Sequence, residues 1–477
     1  MLNWWLIVLL IFVVILCVGL SVYLLFYFTS EEDDGEAYGA KVIVVIGMVI
    51  SMGVVLLLPL DVANAVDPTI SNKYKNTLNM TLMWQIVLWL LFCMTFIIVP
   101  FVMFFYEAYD PDNNRISKQI IQAIIYTIGI LSIFFIICGI CYTFIGVTII
   151  PILTYEGFPQ FISDIQYISY NGTGIFINIE IPVNFFTYCV GIMCFFGWIA
   201  FFIYGGLGII SFPLDLIFGF IKRTKSINNY HFKEEMNIIA LKGDILLKLS
   251  LNLQKKCRGI ISISQRNKIH ILRNETYILE AQQEQLIWAY TKAGGSPFII
   301  YGRLLLGIIS LFISIIWILH IFIYNTFHKS SFLNQILISL DHIFGLFGII
   351  IYGILIFYLI WISFEGQVRL GMRFIFFQIY PLKPHDTTLN AFLFNISLSL
   401  LISPAIIEFA SRSFQEYGPR TTINALMNIY VLHLKGIGIF IRWADVCFTG
   451  ISLLSIIWVL LCPVHKRIKD PTKLRLW

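Results

Sequence analysis

Long apolar stretches alternate with short polar connectors along this chain, and the stretches exceed what a soluble core helix needs. They cover Leu2–Phe28, Val42–Leu60, Thr81–Phe105, Ile120–Thr148, Val183–Phe212, Ile299–Tyr324, His342–Phe364, Ala391–Ala410 and Ile437–Leu461. About 20 apolar residues carry a helix across the roughly 30 Å hydrocarbon layer of a bilayer. The runs are continuous and do not alternate with period two, which points to helices and away from a membrane barrel. The pattern predicts an all-α fold, a polytopic membrane helical bundle of about nine transmembrane helices. The first run lacks a basic leader and a small-residue cleavage site and is too long for a signal-peptide core. It is expected to remain as a span.

One connector is different. Residues 214–298 show Met236, Ile239, Leu246, Leu249 and Leu253 at helical spacing over Asn228–Cys257. Arg258-Gly259 then separates this segment from a second helical pattern over Ser264–Lys292, and Gly294-Gly-Ser-Pro297 ends that one. Two amphipathic helices around a glycine turn make a helical hairpin. The plain reading is a self-packed cap; the sharper one is a docking surface for a cytosolic protein or for anionic lipid. The chain then divides into 1–213 with five spans, 214–298 with the cytoplasmic hairpin, 299–462 with four spans, and a basic tail at 463–477.

Composition agrees with a lipid solvent. Of 477 residues, 58% are hydrophobic and only 12% charged, against roughly half and a quarter in soluble domains. The net charge of +5 matters less than its placement. Lys222, Arg223, Lys225, Lys233, Lys242, Lys248, Arg266, Lys268 and Arg273 crowd the long connector, and Lys466, Arg467, Lys469, Lys473 and Arg475 the tail. Ile149–Pro182 has no Lys or Arg. The positive-inside rule then predicts an exterior or luminal N-terminus and a cytoplasmic C-terminus, with acidic Glu31–Glu36 the one loop that does not fit. Plasma membrane and endolysosomal membrane both remain open. Asn171-Gly-Thr173 is a glycosylation sequon in the exterior loop, whereas Asn79-Met-Thr81 abuts a span. Cys138-Gly-Ile-Cys141 matches a redox or metal spacing, but it sits in an apolar helix and reads as packing.

Ionisable and polar groups at membrane depth are costly and mark sites of pairing or passage. Asp61 and Asn64 close the second span in Pro59-Leu-Asp-Val-Ala-Asn64, and Asp215 closes the fifth in Pro213-Leu-Asp215. At both, proline is expected to end or kink the helix and the carboxylate to accept the freed N–H groups. His320 and Glu408 fall in the last turns of their spans, where they are positioned to pair. Asp341 and His342 stand at the start of the seventh span. Glu365, Arg369 and Arg373 stand four residues apart and predict a salt-bridge ladder on one helix face. Gly205-Gly-Leu-Gly208 and Gly345-x-x-Gly348 permit close helix approach. No nucleophile elbow, zinc motif, Walker loop or dinucleotide fingerprint is present. The chain is therefore expected not to be an enzyme, to hold no metal or cofactor, and to bind no nucleic acid.

Several of these segments carry a family resemblance. Leu58-Pro-Leu-Asp-Val-Ala-Asn64, Gly206-Leu-Gly-Ile-Ile-Ser-Phe-Pro-Leu-Asp-Leu-Ile217 with Phe220-Ile-Lys-Arg223, Phe332-Leu-Asn334, Leu340-Asp341, Tyr380-Pro-Leu-Lys383 and Asn390-Ala-Phe-Leu-Phe-Asn395 resemble the LMBR-like family of limb-region membrane proteins. That family includes the lipocalin-interacting membrane receptors and the lysosomal cobalamin exporter. The resemblance implies nine spans and a receptor or trafficking role, with a lipocalin-like protein or a small molecule as the ligand. Export of a small organic molecule such as cobalamin, or lipid handling, is the alternative it leaves open. No functional residues carry over from it.

Overall fold

The computed structural model describes residues 4–30, 38–65, 78–108, 116–155, 160–161, 168–169, 174–221, 228–256, 263–291, 297–327, 331–374, 377–380, 382–385 and 387–461. The Asn171 sequon and the basic tail lie outside them. The chain forms α1 (Trp4–Phe28), α2 (Tyr38–Asn64), α3 (Met80–Cys93), α4 (Val99–Glu107), α5 (Ile116–Ile145), β1 (Val147–Tyr155), β2 (Gln160–Phe161), β3 (Ile168–Ser169) and β4 (Gly174–Pro182). It continues through α6 (Phe185–Ile221), α7 (Asn229–Lys256), α8 (Ile263–Thr291), α9 (Pro297–His320), α10 (Phe332–Ile343) and α11 (Phe347–Leu370). It ends with β5 (Met372–Phe374), β6 (Phe377–Tyr380), α12 (Leu389–Ser413), α13 (Thr422–Asn424) and α14 (Ile437–Leu461). Among the described residues, 9 helices are long and apolar enough to cross a membrane. The protein is a polytopic helical membrane bundle.

Three stretches widen to π-helical geometry: Met94–Ile98 between α3 and α4, Ile321–Thr326 after α9, and Ala425–Val431 after α13. Of the end or kink that the sequence suggested at proline, the end does not occur. α2 runs through Pro59 to Asn64 and α6 through Pro213 to Ile221, because neighbouring groups can satisfy the freed carbonyls within a bundle. The seventh span begins at Phe347, so His342 belongs to the last turn of the preceding short helix α10.

The chain forms two compact units, Met1–Phe212 with Phe312–Leu460, and Pro213–Leu311 with Leu461–Trp477. In the first unit α12 is the hub, with 78% of its most apolar stretch buried, and α2 packs against α12, α1 and α11. A buried aromatic cluster of Trp198, Phe201, Trp317, Phe409, Phe414 and Phe448 fills the bundle beside it. By contrast α5 has only 11% of its most apolar stretch buried and exposes Ile125, Ile128, Ile133, Ile136 and Phe144. That asymmetry is what a hydrocarbon solvent allows and water does not.

Glycines set two of the closest helix approaches. A Cβ at Gly208 would collide with the Ile362 carbonyl, and one at Gly366 with the Tyr204 carbonyl, so α6 and α11 meet backbone to backbone. At Gly197 a Cβ would strike the Leu401 carbonyl of α12. The Gly345-x-x-Gly348 pair has another role. Gly345 faces open space, and Gly348 sits against the Asp341 side chain in the turn into α11.

The connector expected to be a plain loop between the fourth and fifth spans is built as strands. β1 and β4 pair antiparallel from Val147↔Pro182 to Tyr155↔Gly174. The alternation of Ile149, Pro151 and Leu153 with Ile150 and Ile152 masked the period-two signal, because both faces are apolar.

In the second unit the two amphipathic helices α7 and α8 lie side by side antiparallel. Phe232 stacks on Tyr290 with centroids 4.2 Å apart, and Leu279 covers Gly243. Within the same unit the end of α6 meets the start of α9, where Gly307 faces Leu216 and Ile217, and Phe220 meets Tyr301.

Gly208→Val should wedge α6 from α11 and destabilise the detergent-solubilised protein by about 1–3 kcal/mol. Gly450→Ala, where the added methyl meets open space, should leave the unfolding midpoint within error of the parent. Thermal unfolding followed by size-exclusion chromatography separates the two.

Candidate functional site

The polar groups of the first unit converge on α12. Its sequence places Asn395, Ser399, Ser403, Glu408 and Arg412 at steps of four or five, one stripe down a helix rich in Leu, Ile, Phe and Ala. Each member is met by a group from another element. Near mid-helix, Ser51 Oγ lies 3.0 Å from Ser403 Oγ and donates to the Ser399 carbonyl at 3.1 Å, while Ser399 Oγ reaches Gln367 Oε1 at 3.2 Å. These hydroxyls join α2, α11 and α12. Asn395 Nδ2 bonds the Tyr380 carbonyl at 3.2 Å, tying β6 to the start of α12.

Further along lies a buried charge cluster. Arg412 Nη2 is 3.0 Å from Asp445 Oδ1 on α14, and Arg412 Nε is 3.3 Å from Glu408 Oε1. Trp198 Nε1 donates to Glu408 Oε2 at 2.9 Å, and the guanidinium lies 5.8 Å from the Trp198 ring centre. Arg412 Nη1 also donates to the Ile441 carbonyl. Glu408 is 0% exposed and Asp445 3%. One guanidinium thus serves two carboxylates from different helices, and charges so far from water need such partners.

The C-terminal end of α12 is held by a third set. His320 Nε2 meets the Ser413 carbonyl at 3.0 Å, Asn334 Nδ2 donates to the same carbonyl at 3.2 Å, and Asn325 Nδ2 donates to Ser413 Oγ at 2.9 Å. A carbonyl left over at a helix end is captured here by side chains from α9 and α10, while the π-helical stretch between them holds the hydroxyl of the same residue. Ser331 donates to Glu416 just beyond. Tyr417 donates to Asp341 Oδ2 at 2.6 Å, and Gly348 N donates to Asp341 Oδ1 at 2.9 Å. Burial pushes the Asp341 carboxyl above the ordinary aspartate range, against the pull of these bonds. Burial, and then Asp341, push the Tyr417 phenol up as well.

Asp61 performs the corresponding task for the chain after α12. It accepts from Trp84 Nε1 at 2.9 Å, Ile423 N at 3.1 Å and Thr422 N at 3.3 Å. The last two are leading amides of α13, where four N–H groups lack helical partners. A carboxylate there also suits the positive end of the helix. Asn64 accepts from Leu78 N and donates to the Leu78 carbonyl, closing the connection between α2 and α3. The segment beyond α13 supports the β1–β4 hairpin. Ile149 N donates to the His433 carbonyl, Lys435 N to the Val147 carbonyl, both at 3.0 Å, and Thr148 Oγ1 to the Tyr430 carbonyl.

The sequence-predicted residues therefore divide. Asp61, Asn64, His320, Asp341 and Glu408 all belong to this framework, but two expected pairings do not form. His320 bonds Ser413 and not Glu408, whose cation is Arg412 one turn further along its own helix. The three-member ladder fails because α11 ends at Leu370 and Gly371 turns with φ 60°, so Arg373 lies on β5 opposite Gln378. Glu365 and Arg369 stay on one face of α11, and the Arg369 guanidinium lies 5.2 Å from the Trp458 ring centre. Asp215 lies on α6 in the second unit. Arg412, Asp445, Trp84, Trp198, Asn325, Asn334 and Ser413 were missed; the four-residue spacing of polar groups in α12 was the available signal. Among the described residues, no group of three or more His, Cys, Asp or Glu could hold a metal.

Arg412→Leu should strand two buried carboxylates and cost about 3–5 kcal/mol. The triple change Glu408→Gln, Arg412→Met, Asp445→Asn should recover most of that loss. Unfolding midpoints of the solubilised single and triple variants check it; equal loss in both would mean the cluster is not held by charge.

The model of the LMBR1-like membrane protein family matches residues 6–268 and 296–457. A LIMR family protein of Dictyostelium discoideum is 29% identical over 94% of this chain and 95% of its own length. Another, of Oryza sativa subsp. japonica, is 29% identical with 95% of each chain covered. A third, of Arabidopsis thaliana, is 30% identical with 87% of each covered. No solved structure matches. With the family model matched over most of its length, this chain belongs to the LMBR1-like membrane protein family.

Proposed function

We propose that this protein is a multi-pass membrane receptor or trafficking protein. It engages a partner outside the cytosol through the β1–β4 hairpin and couples to a cytosolic partner through α7 and α8. The observation that carries the reading is the way the hairpin is mounted. It is pinned at its base to the segment 430–435, which the amides of α13 anchor in turn on Asp61. Opposed strand residues share a face, so Ile150 and Ile179, and Ile152 and Ile177, form one apolar strip. Ile152, Ile177 and Ile179 are each at least 40% exposed. A rigidly supported apolar strip is a surface suited to protein contact.

The placement of charge supports this orientation, since the hairpin segment 147–182 has no Lys or Arg and the α7–α8 segment is rich in them. The alternative, passage of a small organic molecule, calls for a polar cavity near mid-depth. The mid-depth serines bond one another and other chain groups. The cleft beside Ser51 and Ser399 measures about 30 Å³, room for one water.

Replacing Ile150, Ile152, Ile177 and Ile179 with Thr should leave insertion and folding intact. It should reduce membrane-impermeant cross-linking to the outside partner in cells about tenfold. Undiminished cross-linking would overturn the receptor reading. Accumulation of labelled cobalamin in proteoliposomes of the purified protein would put transport in its place.

A further inference from the structure

One arginine of the described spans departs from the pairing that governs the others. Arg412 holds two carboxylates, Arg369 lies over the Trp458 ring, and Arg442 donates to the Gly438 carbonyl of its own helix. Arg303 on α9 is exposed, and among the described residues no group bonds to it. We propose that Arg303 binds the phosphate headgroup of an anionic phospholipid at the cytosolic end of α6 and α9, a site independent of the receptor reading.

The place of Arg303 on its helix separates it from an arginine that merely faces lipid. Residues 303, 307, 310, 314 and 317 recur at steps of three and four, so they form one face of α9. Gly307, Ser310, Ser314 and Trp317 are all buried, which makes this the face turned to the rest of the protein. A Cβ on Gly307 would meet Leu216 and Ile217 of α6, and one and a half turns earlier Tyr301 packs on Phe220 with ring centroids 5.7 Å apart. The same antiparallel register sets Arg303 level with the last turn of α6, which ends at Ile221. Arg303 therefore continues the protein-facing stripe of α9 to the level where α6 runs out. A ligand held there touches protein on one side and lipid on the other.

Charge and depth select the ligand. α9 contains no Asp or Glu, and Ile299, Leu305 and Leu306 around Arg303 are each at least 50% exposed, a surface for acyl chains. Arg303 stands six residues beyond Pro297, about 9 Å along the helix. A cation at that depth is costly until an anion meets it. Helical side chains lean toward the N-terminus of their helix, so the guanidinium reaches back toward the Pro297 end and the headgroup layer. Its planar fork matches two phosphate oxygens at once. The connector that precedes α9 is rich in Lys and Arg, which puts this end in the cytosolic leaflet, where anionic lipids are concentrated. A lipid meets both demands together, an anion at the guanidinium and hydrocarbon along the neighbouring leucines.

The test uses the full-length protein in detergent, with phosphatidylserine or phosphatidylcholine of the same acyl chains added, and native mass spectrometry to count the lipids retained. The parent should retain phosphatidylserine about fivefold better than phosphatidylcholine, the discrimination expected of one basic residue. Arg303→Gln should abolish that preference while its elution profile and unfolding midpoint match the parent's. Arg303→Lys should keep part of the preference, and Arg442→Gln should leave it unchanged. Equal retention of the two lipids by the parent would overturn the proposal, and so would an undiminished preference in Arg303→Gln. Displacement of the bound phosphatidylserine by inorganic phosphate would also overturn it, because the site would then serve free anions.

Discussion

A hydrocarbon solvent leaves every buried polar group dependent on a partner within the chain, and in this protein those partners meet on α12. Water cannot rescue an unpaired carboxylate or a spare helix carbonyl at that depth. Glu408 and Asp445 therefore share Arg412, Ser413 is held by His320, Asn325 and Asn334, and the mid-helix serines bond to α2 and α11. Apolar packing alone gives helices in lipid little reason to prefer one neighbour, because lipid tails are as apolar as leucine. The polar stripe supplies the specificity, and the glycines at 197, 208 and 366 let the backbones come close enough to use it.

From that hub the framework reaches one end of the bundle. Asp61 on α2 holds the amides that open α13, and the π-helical stretch that follows supports the β1–β4 hairpin. Trp84 backs Asp61 as Trp198 backs Glu408, each through an indole N–H at 2.9 Å. A large ring that carries a single donor suits this position: it fills apolar space and still satisfies one carboxylate oxygen. A surface mounted this way keeps its shape while the spans around it move in fluid lipid, which is the property the receptor reading draws on.

The spans were legible because lipid demands long uninterrupted apolar runs, and those are visible without any structure. Their ends were less so. Pro59 and Pro213 read as stops or kinks, and of the two the stop does not occur, since a bundle supplies the partners that let a helix continue through proline. The first strand of the hairpin hid because apolar residues on both faces erase alternation, whereas in the second Ile177, Ile179 and Ile181 alternate with Asn178 and Glu180, a signal the sequence did offer. Single residues such as Asp61, His320 and Glu408 stood out by the rarity of charge in their surroundings. Their partners did not. Arg412 and Asp445 are 33 positions apart, and Asp61 and Ile423 are 362 apart, distances over which only the fold can report contact. Arg373 shows the reverse error, since regular spacing implied a helix face that Gly371 interrupts.

The measurement closest to the central claim is a cryo-electron microscopy map of the protein in lipid nanodiscs, resolved well enough for side chains. It should show α12 enclosed by other helices, with guanidinium density from Arg412 continuous with both the Glu408 and Asp445 carboxylates. An α12 that borders the lipid, or an Arg412 that extends to the membrane surface away from both carboxylates, would contradict the account.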